Sequence, residues 1–247
     1  MSASAGKPKF GKEGDFDLAN IPTTDTEKYT VFDSPQGARK WFNNPKLSNY
    51  DTWKDGMSDS QEGAITKYVD GYYTEINSAQ YGTPWEEMSN KEKELISNLH
   101  NGINGFDLNH GITINRQSDF QLFGASEGSK MTVNQIKDFL AQNGNVLQND
   151  GFMSFSTDPN GHAIGTTGGL VIHLRVPPSQ GACAYLGKFG LSSENEVLVN
   201  NNAVMRFDTE SVTKDSNGKI HITADWLGQA KSQTISKTNT SVLKKNK

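Results

Sequence analysis

The chain has 247 residues, 34% of them hydrophobic and 21% charged, with a formal net charge of −4, which suits one large domain or two small lobes around a modest core. No apolar run approaches the roughly 18 residues of a membrane-spanning helix, the lone Cys183 excludes a disulfide framework, and Met1 to Gly14 lacks the apolar stretch of a secretion signal. Five lysines over residues 229–247 and a net of about +2 over residues 1–14 leave about −11 on residues 15–228, an acidic body that disfavours nucleic acid as the primary partner.

Residues 1–30 read as a flexible N-terminal segment, and 31–228 as a single domain with a helical front over 34–101 and a strand-rich core over 111–225. Ser34-Pro35 supplies an N-cap and a first-turn proline ahead of Ala38, Trp41 and Phe42. Ser58 and Gln61 form a capping-box pattern before Ala64, Ile65, Tyr68 and Val69, with Gly71 as a stop. Ser89 and Glu92 repeat it before Leu95, Ile96 and Leu99. Thr132 and Gln135 open a further helix that carries Ile136, Phe139 and Leu140 and ends at Gly144.

After residue 110 the punctuation is that of strands: 111–116, 151–156, 170–176, 182–186, 195–199, 204–207 and 219–223, separated by Gly, Pro, Asn or Asp. Helices first and strands afterwards argue for an α+β fold. Residues 229–247 show no apolar period and read as a basic, disordered tail.

Familiar site chemistries are missing. The sequence has no phosphate loop, dinucleotide fingerprint or serine elbow. Its histidines at 100, 110, 162, 173 and 221 never fall at metal-ligand spacing, so no metal is expected. His173 lies within the apolar run from Leu170 to Leu174 and reads as a sheet residue satisfied by its neighbours rather than as a catalytic base. Cys183 reads as a small core residue.

The run Ser193-Glu194-Asn195-Glu196-Val197-Leu198-Val199 is different. In an extended strand alternate side chains share a face, which would put the carboxylates of Glu194 and Glu196 on the same side about 6–7 Å apart. A solvated edge that resists aggregation would account for such a pair. So would paired carboxylate chemistry. Arg116, at a strand end, reads by itself as an ordinary surface arginine that caps a strand.

Three segments in order resolve that choice: Ile114-Asn115-Arg116-Gln117-Ser118, then Gly151-Phe152-Met153-Ser154-Phe155-Ser156, then Ser193-Glu194-Asn195-Glu196. This order resembles the arginine-specific mono-ADP-ribosyltransferase family of bacterial toxins and bacteriophage enzymes, whose signature is Arg, then Ser-Thr-Ser after an aromatic, then Glu-x-Glu. Residues 37–53, Glu62 to Tyr68, Tyr73 to Asn77, and 170–177 with 184–186 resemble further parts of that family, so the likeness runs from near residue 32 to near residue 225. It implies a helical lobe packed on a two-sheet antiparallel β-sandwich that clamps NAD+ as co-substrate. It also implies an effector or toxin that acts on a protein.

By this resemblance Glu196 would bind the ribose 2′-hydroxyl and stabilise the oxocarbenium-like centre formed when nicotinamide leaves. Ser154 would hold Glu196 and the ribose in register, and Arg116 would pair with the pyrophosphate. Asn115, Gln117, Phe152 and Ser156 would complete the cofactor contacts. Glu194 would orient and deprotonate the acceptor, and a glutamate there, where several relatives use glutamine, implies arginine. Phe189 and Gly190, in the turn from Tyr185 to Ser193, would meet the target, actin or a bacterial host protein, with Phe189 equally compatible with a buried anchor of that loop.

The chain departs from the family pattern in three places. Phe155 replaces the middle threonine, Asn115 replaces the aromatic before the arginine, and Gln80-Tyr81 replaces a Leu-Arg pair. An NAD+ glycohydrolase, and a non-catalytic binding or assembly module, are the alternative readings. A monomer is expected, in the cytoplasm or delivered by a virion or specialised secretion system.

Overall fold

The computed structural model describes residues 9–22, 26–161, 169–187, 189 and 195–231. The expected helices form where their caps stand. Ser34 accepts from Gly37 N–H (3.1 Å) to open α1 (Pro35–Phe42). The Ser58/Gln61 box opens α3 (Asp59–Lys67), which follows an unanticipated α2 (Tyr50–Gly56). Gly71 adopts φ 110°, so the chain leaves α3 through a π-turn at Tyr68–Tyr72 and restarts as α4 (Tyr73–Gly82). The Ser89/Glu92 box opens α5 (Asn90–Asn104), and Thr132/Gln135 opens α6 (Val133–Asn143).

The strands are β1 (Lys9–Gly11), β2 (Leu18–Ala19), β3 (Tyr29–Thr30), β4 (Asp107–Leu108), β5 (Gly111–Ser118), β6 (Val146–Asn149), β7 (Met153–Ser156), β8 (Leu170–Val176), β9 (Ser179–Gln180), β10 (Cys183–Tyr185), β11 (Glu196–Val199), β12 (Ala203–Lys214) and β13 (Ile220–Ala230). The main sheet runs β1-β6-β12-β13-β8-β5-β7-β11-β10, with β2 on β13, β3 on β5, and β4 and β9 paired separately. Pairing is antiparallel except at β13–β8 and β3–β5. The expected two sheets are two limbs of one hydrogen-bonded path. They are joined where β5 meets β7 at a single registered pair, Asn115 and Ser156.

Phe42, wholly buried, stacks on Tyr185 of β10 at 4.2 Å and ties the helices to the short limb. Trp53 of α2 packs its edge on Phe106 and donates its indole N–H to Gly102 O (2.6 Å). Cys183 is a buried core thiol whose pKa burial pushes up to about 12. Among the described residues no helix is long and apolar enough to cross a membrane.

Three boundaries differ from the sequence reading. The span 1–30, expected to be flexible, contains β1, which pairs with β6 and sends Phe10 between Phe139 (5.1 Å), Phe123 (6.0 Å) and Phe207 (6.1 Å). Gly144 permits this crossing, because it has φ 90° and a Cβ there would lie 2.1 Å from Gly11 O. The strand expected over 204–207 continues to Lys214 through register shifts, hidden in sequence by the polar run from Asp208 to Ser211. The strand expected over 219–223 reaches Ala230, so the segment read as a tail begins with paired residues, Gln229 and Ala230. Residues 232–247 lie outside the described residues.

His100, on α5, joins the helices to the loop after β11. Its Nδ1 donates to Asn201 Oδ1 (2.7 Å) and its Nε2 accepts from Asn104 Nδ2 (3.2 Å), which defines a neutral ring. Burial lowers its pKa. The unfolded chain therefore takes up the proton first, so stability is complete above the unfolded value of about 6.5 and is lost as pH falls through the folded one. Urea midpoints should fall between pH 7.5 and 5.5. His100→Gln should weaken that dependence without removing it, since His173 shifts the same way, and unchanged dependence in the variant would exclude His100 as a source.

Candidate active site

A cavity of about 340 Å³ opens between the π-turn and α4 on one side and β5, β7 and β12 on the other, within the range of small-molecule sites, about 300–1,000 Å³. Tyr68, Tyr73, Asn77 and Tyr81 line the helical wall, and Arg116, Gln117, Phe152 and Ser154 the sheet wall. Asn77 fastens the two walls together. Its Oδ1 accepts from Phe152 N–H (2.9 Å) and its Nδ2 donates to Phe152 O (3.1 Å).

Gly151 makes that approach possible, since a Cβ there would lie 2.7 Å from Asn77 Oδ1 and the Tyr81 hydroxyl. Tyr81 donates to Asn149 Oδ1 (3.0 Å), and Gln80 accepts from Asn201 Nδ2 (2.8 Å). The pair that replaces Leu-Arg thus supplies an aromatic cavity wall and a polar tie.

Arg116 donates from Nη1 to Ser154 O (2.7 Å), which fixes a guanidinium at the cavity wall. The Tyr68 hydroxyl lies 3.4 Å from Phe152 O and from Asn77 Nδ2. Burial pushes its pKa up to about 12; its hydrogen bonds to Ser154 and Asn77 oppose the rise, the Glu196 charge adds to it and Arg116 opposes it. The Tyr68 hydroxyl is therefore the point at which Ser154, Arg116 and Glu196 are all felt across the seam between the two limbs.

Glu196 begins β11, is buried at 8% exposure, and stands in register with Ser156. Ser156 accepts from Asp158 N–H (3.0 Å) and is in register with Asn115 as well. Phe155, between the two serines, is buried in the core. Asn115 stands in register with His173, whereas Arg116 stands in register with the cavity-lining Ile172. Asn115 is thus turned to the other face of β5, where its Oδ1 meets His173 Nδ1 at 2.6 Å. His173 is satisfied by neighbours, as its apolar setting suggested. Gln117 lines the cavity but donates to Asn160 O (3.0 Å) and Gly161 O (3.2 Å).

The alternation argument for the acidic pair does not hold. β11 starts at Glu196, and Asn195 has φ 43°, with its carbonyl accepting from Thr157 N–H (3.2 Å) and its side chain from the Tyr185 hydroxyl (3.2 Å). The residue just before Glu196 is consequently not extended. Glu194 and Gly190 lie outside the described residues. Phe189 packs edge-on against Trp53 at 6.0 Å, and its N–H donates to Leu186 O (2.7 Å), which makes it an anchor of its turn.

Tyr68, Tyr73, Asn77 and Tyr81 were not singled out as site residues. For Tyr68, Tyr73 and Asn77 the sequence signal is the resemblance of the segments Glu62–Tyr68 and Tyr73–Asn77, which marks helices without saying which faces line a cavity, and Tyr81 stands in the sequence as a departure from the family's Leu-Arg pair.

A family model described as ADP-ribosyltransferase exoenzyme matches residues 40–229, well over half of the chain. No protein with a curated description matches the sequence. Among solved structures, the chain is similar to Plx2a, an ADP-ribosyltransferase toxin from Paenibacillus larvae, with 17% identity and TM-score 0.67 over 81% of this chain and 100% of that one. It is similar to BECa, the ADP-ribosylating toxin of a binary enterotoxin of C. perfringens solved with NADH, with 22% identity and TM-score 0.67 over 81% of this chain and 50% of that one. It is also similar to C3stau2 from S. aureus, solved with NAD, with 17% identity and TM-score 0.59 over 82% of this chain and 100% of that one. At these identities the structural likeness speaks for the fold.

Asn77→Ala should leave the Phe152 N–H without its partner and its C=O with only the long bond from the Tyr68 hydroxyl, and cost about 1–3 kcal/mol, read as a lower thermal midpoint. Asn77→Asp, which keeps the acceptor and loses the donor, should fall between that variant and the parent. Equal midpoints for all three would mean that the clamp does not hold the walls together.

Proposed function

This chain belongs to the ADP-ribosyltransferase exoenzyme family, and on that premise we propose that it transfers ADP-ribose from NAD+ to arginine side chains of a target protein, with release of nicotinamide. The observation that carries this reading is the gathering of Arg116, Ser154 and Glu196 around Tyr68, beside a cavity of ligand size. The residues suit the dinucleotide. A fixed guanidinium offers parallel donors to a pyrophosphate, tyrosine rings offer flat apolar walls, and a buried carboxylate at a strand start offers a charge that needs no reorganisation.

In the proposed reaction the bond between ribose C1′ and the nicotinamide nitrogen breaks, and its electron pair leaves with neutral nicotinamide. Glu196 accepts a hydrogen bond from the 2′-hydroxyl and stabilises the positive charge that develops on the ribose. Ser154, tied to Tyr68, keeps that end of β7 in place. An arginine nitrogen of the target attacks C1′ and gives up a proton. A carboxylate two residues before Glu196 in sequence, Glu194, is the group proposed to take it, and by resemblance a glutamate at that position goes with arginine acceptors.

The test is incubation with NAD+ and agmatine, following both free nicotinamide and the ADP-ribosylated product. Glu196→Gln should lower both by about 10²–10³-fold, the size of loss expected for a preorganised electrostatic group. Glu194→Gln should retain nicotinamide release while losing the agmatine adduct. Equal loss from both substitutions would refute the division of roles, and a parent that releases nicotinamide without forming an adduct would make hydrolysis the main activity.

A further inference from the structure

Hydrogen bonds from both flanking strands converge on the start of β11. Just after β7, the Thr157 N–H donates to Asn195 O (3.2 Å), and just after β10, the Leu186 N–H donates to Glu196 O (2.9 Å). The Tyr185 hydroxyl of β10 donates to Asn195 Oδ1 (3.2 Å). The first two bonds use backbone groups that every residue but proline supplies. The third needs a hydroxyl on one side and a side-chain acceptor on the other.

Asn195 is the unusual member of this arrangement, with φ 43° and 4% exposure. A left-handed backbone strains any residue but glycine, and asparagine bears it better than most because its short polar side chain finds a partner close by. Here that partner is Tyr185. Such strain at a buried position persists only where the surroundings over-determine it, and it gathers at functional sites. The next residue is Glu196, the first of β11. Were Asn195 to relax to an extended conformation, the direction in which the chain enters β11 at Glu196 would change.

Tyr185 is itself closely held. It stands in register with Val197, and its hydroxyl reaches back two positions to Asn195. Its ring stacks on Phe42 of α1 at 4.2 Å with 5° between the planes and leans on Tyr50 of α2 at 5.3 Å. Gly187 clears the space around it, since a Cβ there would lie 2.5 Å from Tyr185 Cε1 and 2.8 Å from the hydroxyl oxygen. Burial raises the pKa of Tyr185, with the charge and hydrogen bond of Arg39 opposing the rise, so the phenol keeps the proton that it donates. Neither Tyr185 nor Asn195 lines the cavity. Whatever they do for the reaction is done through Glu196.

We propose that the bond from Tyr185 to Asn195 is a positioning tie for Glu196, an inference that rests on the reading of Glu196 above. The helices α1 and α2 fix the Tyr185 ring, its hydroxyl holds Asn195 left-handed, and Asn195 sets the entry into β11 from which the Glu196 carboxylate is presented. A carboxylate that works by being in place beforehand loses that advantage when its backbone is free to shift.

The experiment compares two variants of the full chain. Tyr185→Phe keeps the stacked ring and removes the hydroxyl, and Asn195→Gly keeps the left-handed backbone accessible and removes the acceptor. Nicotinamide release from NAD+ is measured well below the thermal midpoints, together with hydrogen exchange at backbone amides. In each variant kcat should fall about tenfold, the weight of one hydrogen bond, while KM for NAD+ stays near the parent's because the tie touches no substrate. The double variant should lose no more than either alone. Exchange at the Thr157 and Leu186 amides, whose acceptors lie on Asn195 and Glu196, should quicken in both variants, with protection along β12 and β13 unchanged. Parental kcat in Tyr185→Phe, losses that multiply in the double variant, or unchanged exchange at both amides would overturn the inference. A parent that releases no nicotinamide would instead refute the reading of Glu196, and the two amides would then decide alone whether the tie holds this turn.

Discussion

The structure depends on how β5 is shared. Seven of its eight residues, Ile112 to Ser118, pair with β8, and only Asn115 reaches across to β7 at Ser156. One strand thus belongs to both limbs of the sheet, and the limbs part on either side of that pair. Because side chains alternate along an extended strand, adjacent residues at this joint serve opposite faces. Arg116 faces the cavity beside Ile172, and Asn115 faces His173. A continuous flat ladder would have buried this ground. A single pair leaves an opening next to rigid backbone, where a site can be held by strands rather than loops.

The helical lobe forms the opposite wall of that opening. The left-handed Gly71 turns the chain between α3 and α4, so that Tyr68 and Asn77 both arrive at Phe152. Carboxamides do much of the joining between lobe and sheet. Asn77, Asn104, Asn200, Asn201 and Gln80 bond one another, His100 or backbone groups across the boundary. Amides bring a donor and an acceptor without the desolvation cost of a buried charge. Charge is thereby kept scarce inside, which leaves Arg116 and Glu196 as prominent fields at the seam.

Much of the fold was legible because its signals are local. The serines and the threonine at 34, 58, 89 and 132 cap helices through contacts three residues long. The apolar run from Leu170 to Val176, expected as a strand, is β8. Arg116, Ser154 and Glu196, taken in order, marked residues that meet around Tyr68 although they are far apart in sequence. Less was legible where neighbours distant in the chain decide. Phe10 orders the N-terminal strand only through aromatic rings on α6, β12 and the turn after β5. Phe189 is an anchor only because Trp53 is beside it.

By itself the sequence determined where helices start, which runs form strands, and which three motifs could share a site, because capping, alternation and residue chemistry act over a few positions. Only the tertiary structure decided the faces. The left-handed Asn195 removes the extended residue on which the pairing of Glu194 with Glu196 rested, and register turns Asn115 from the cavity toward His173. Both outcomes are set by pairing between distant segments, here the bonds of Thr157 and Tyr185 to Asn195 and the alignment of β5 with β8. A shift of one residue in that alignment would exchange the two faces.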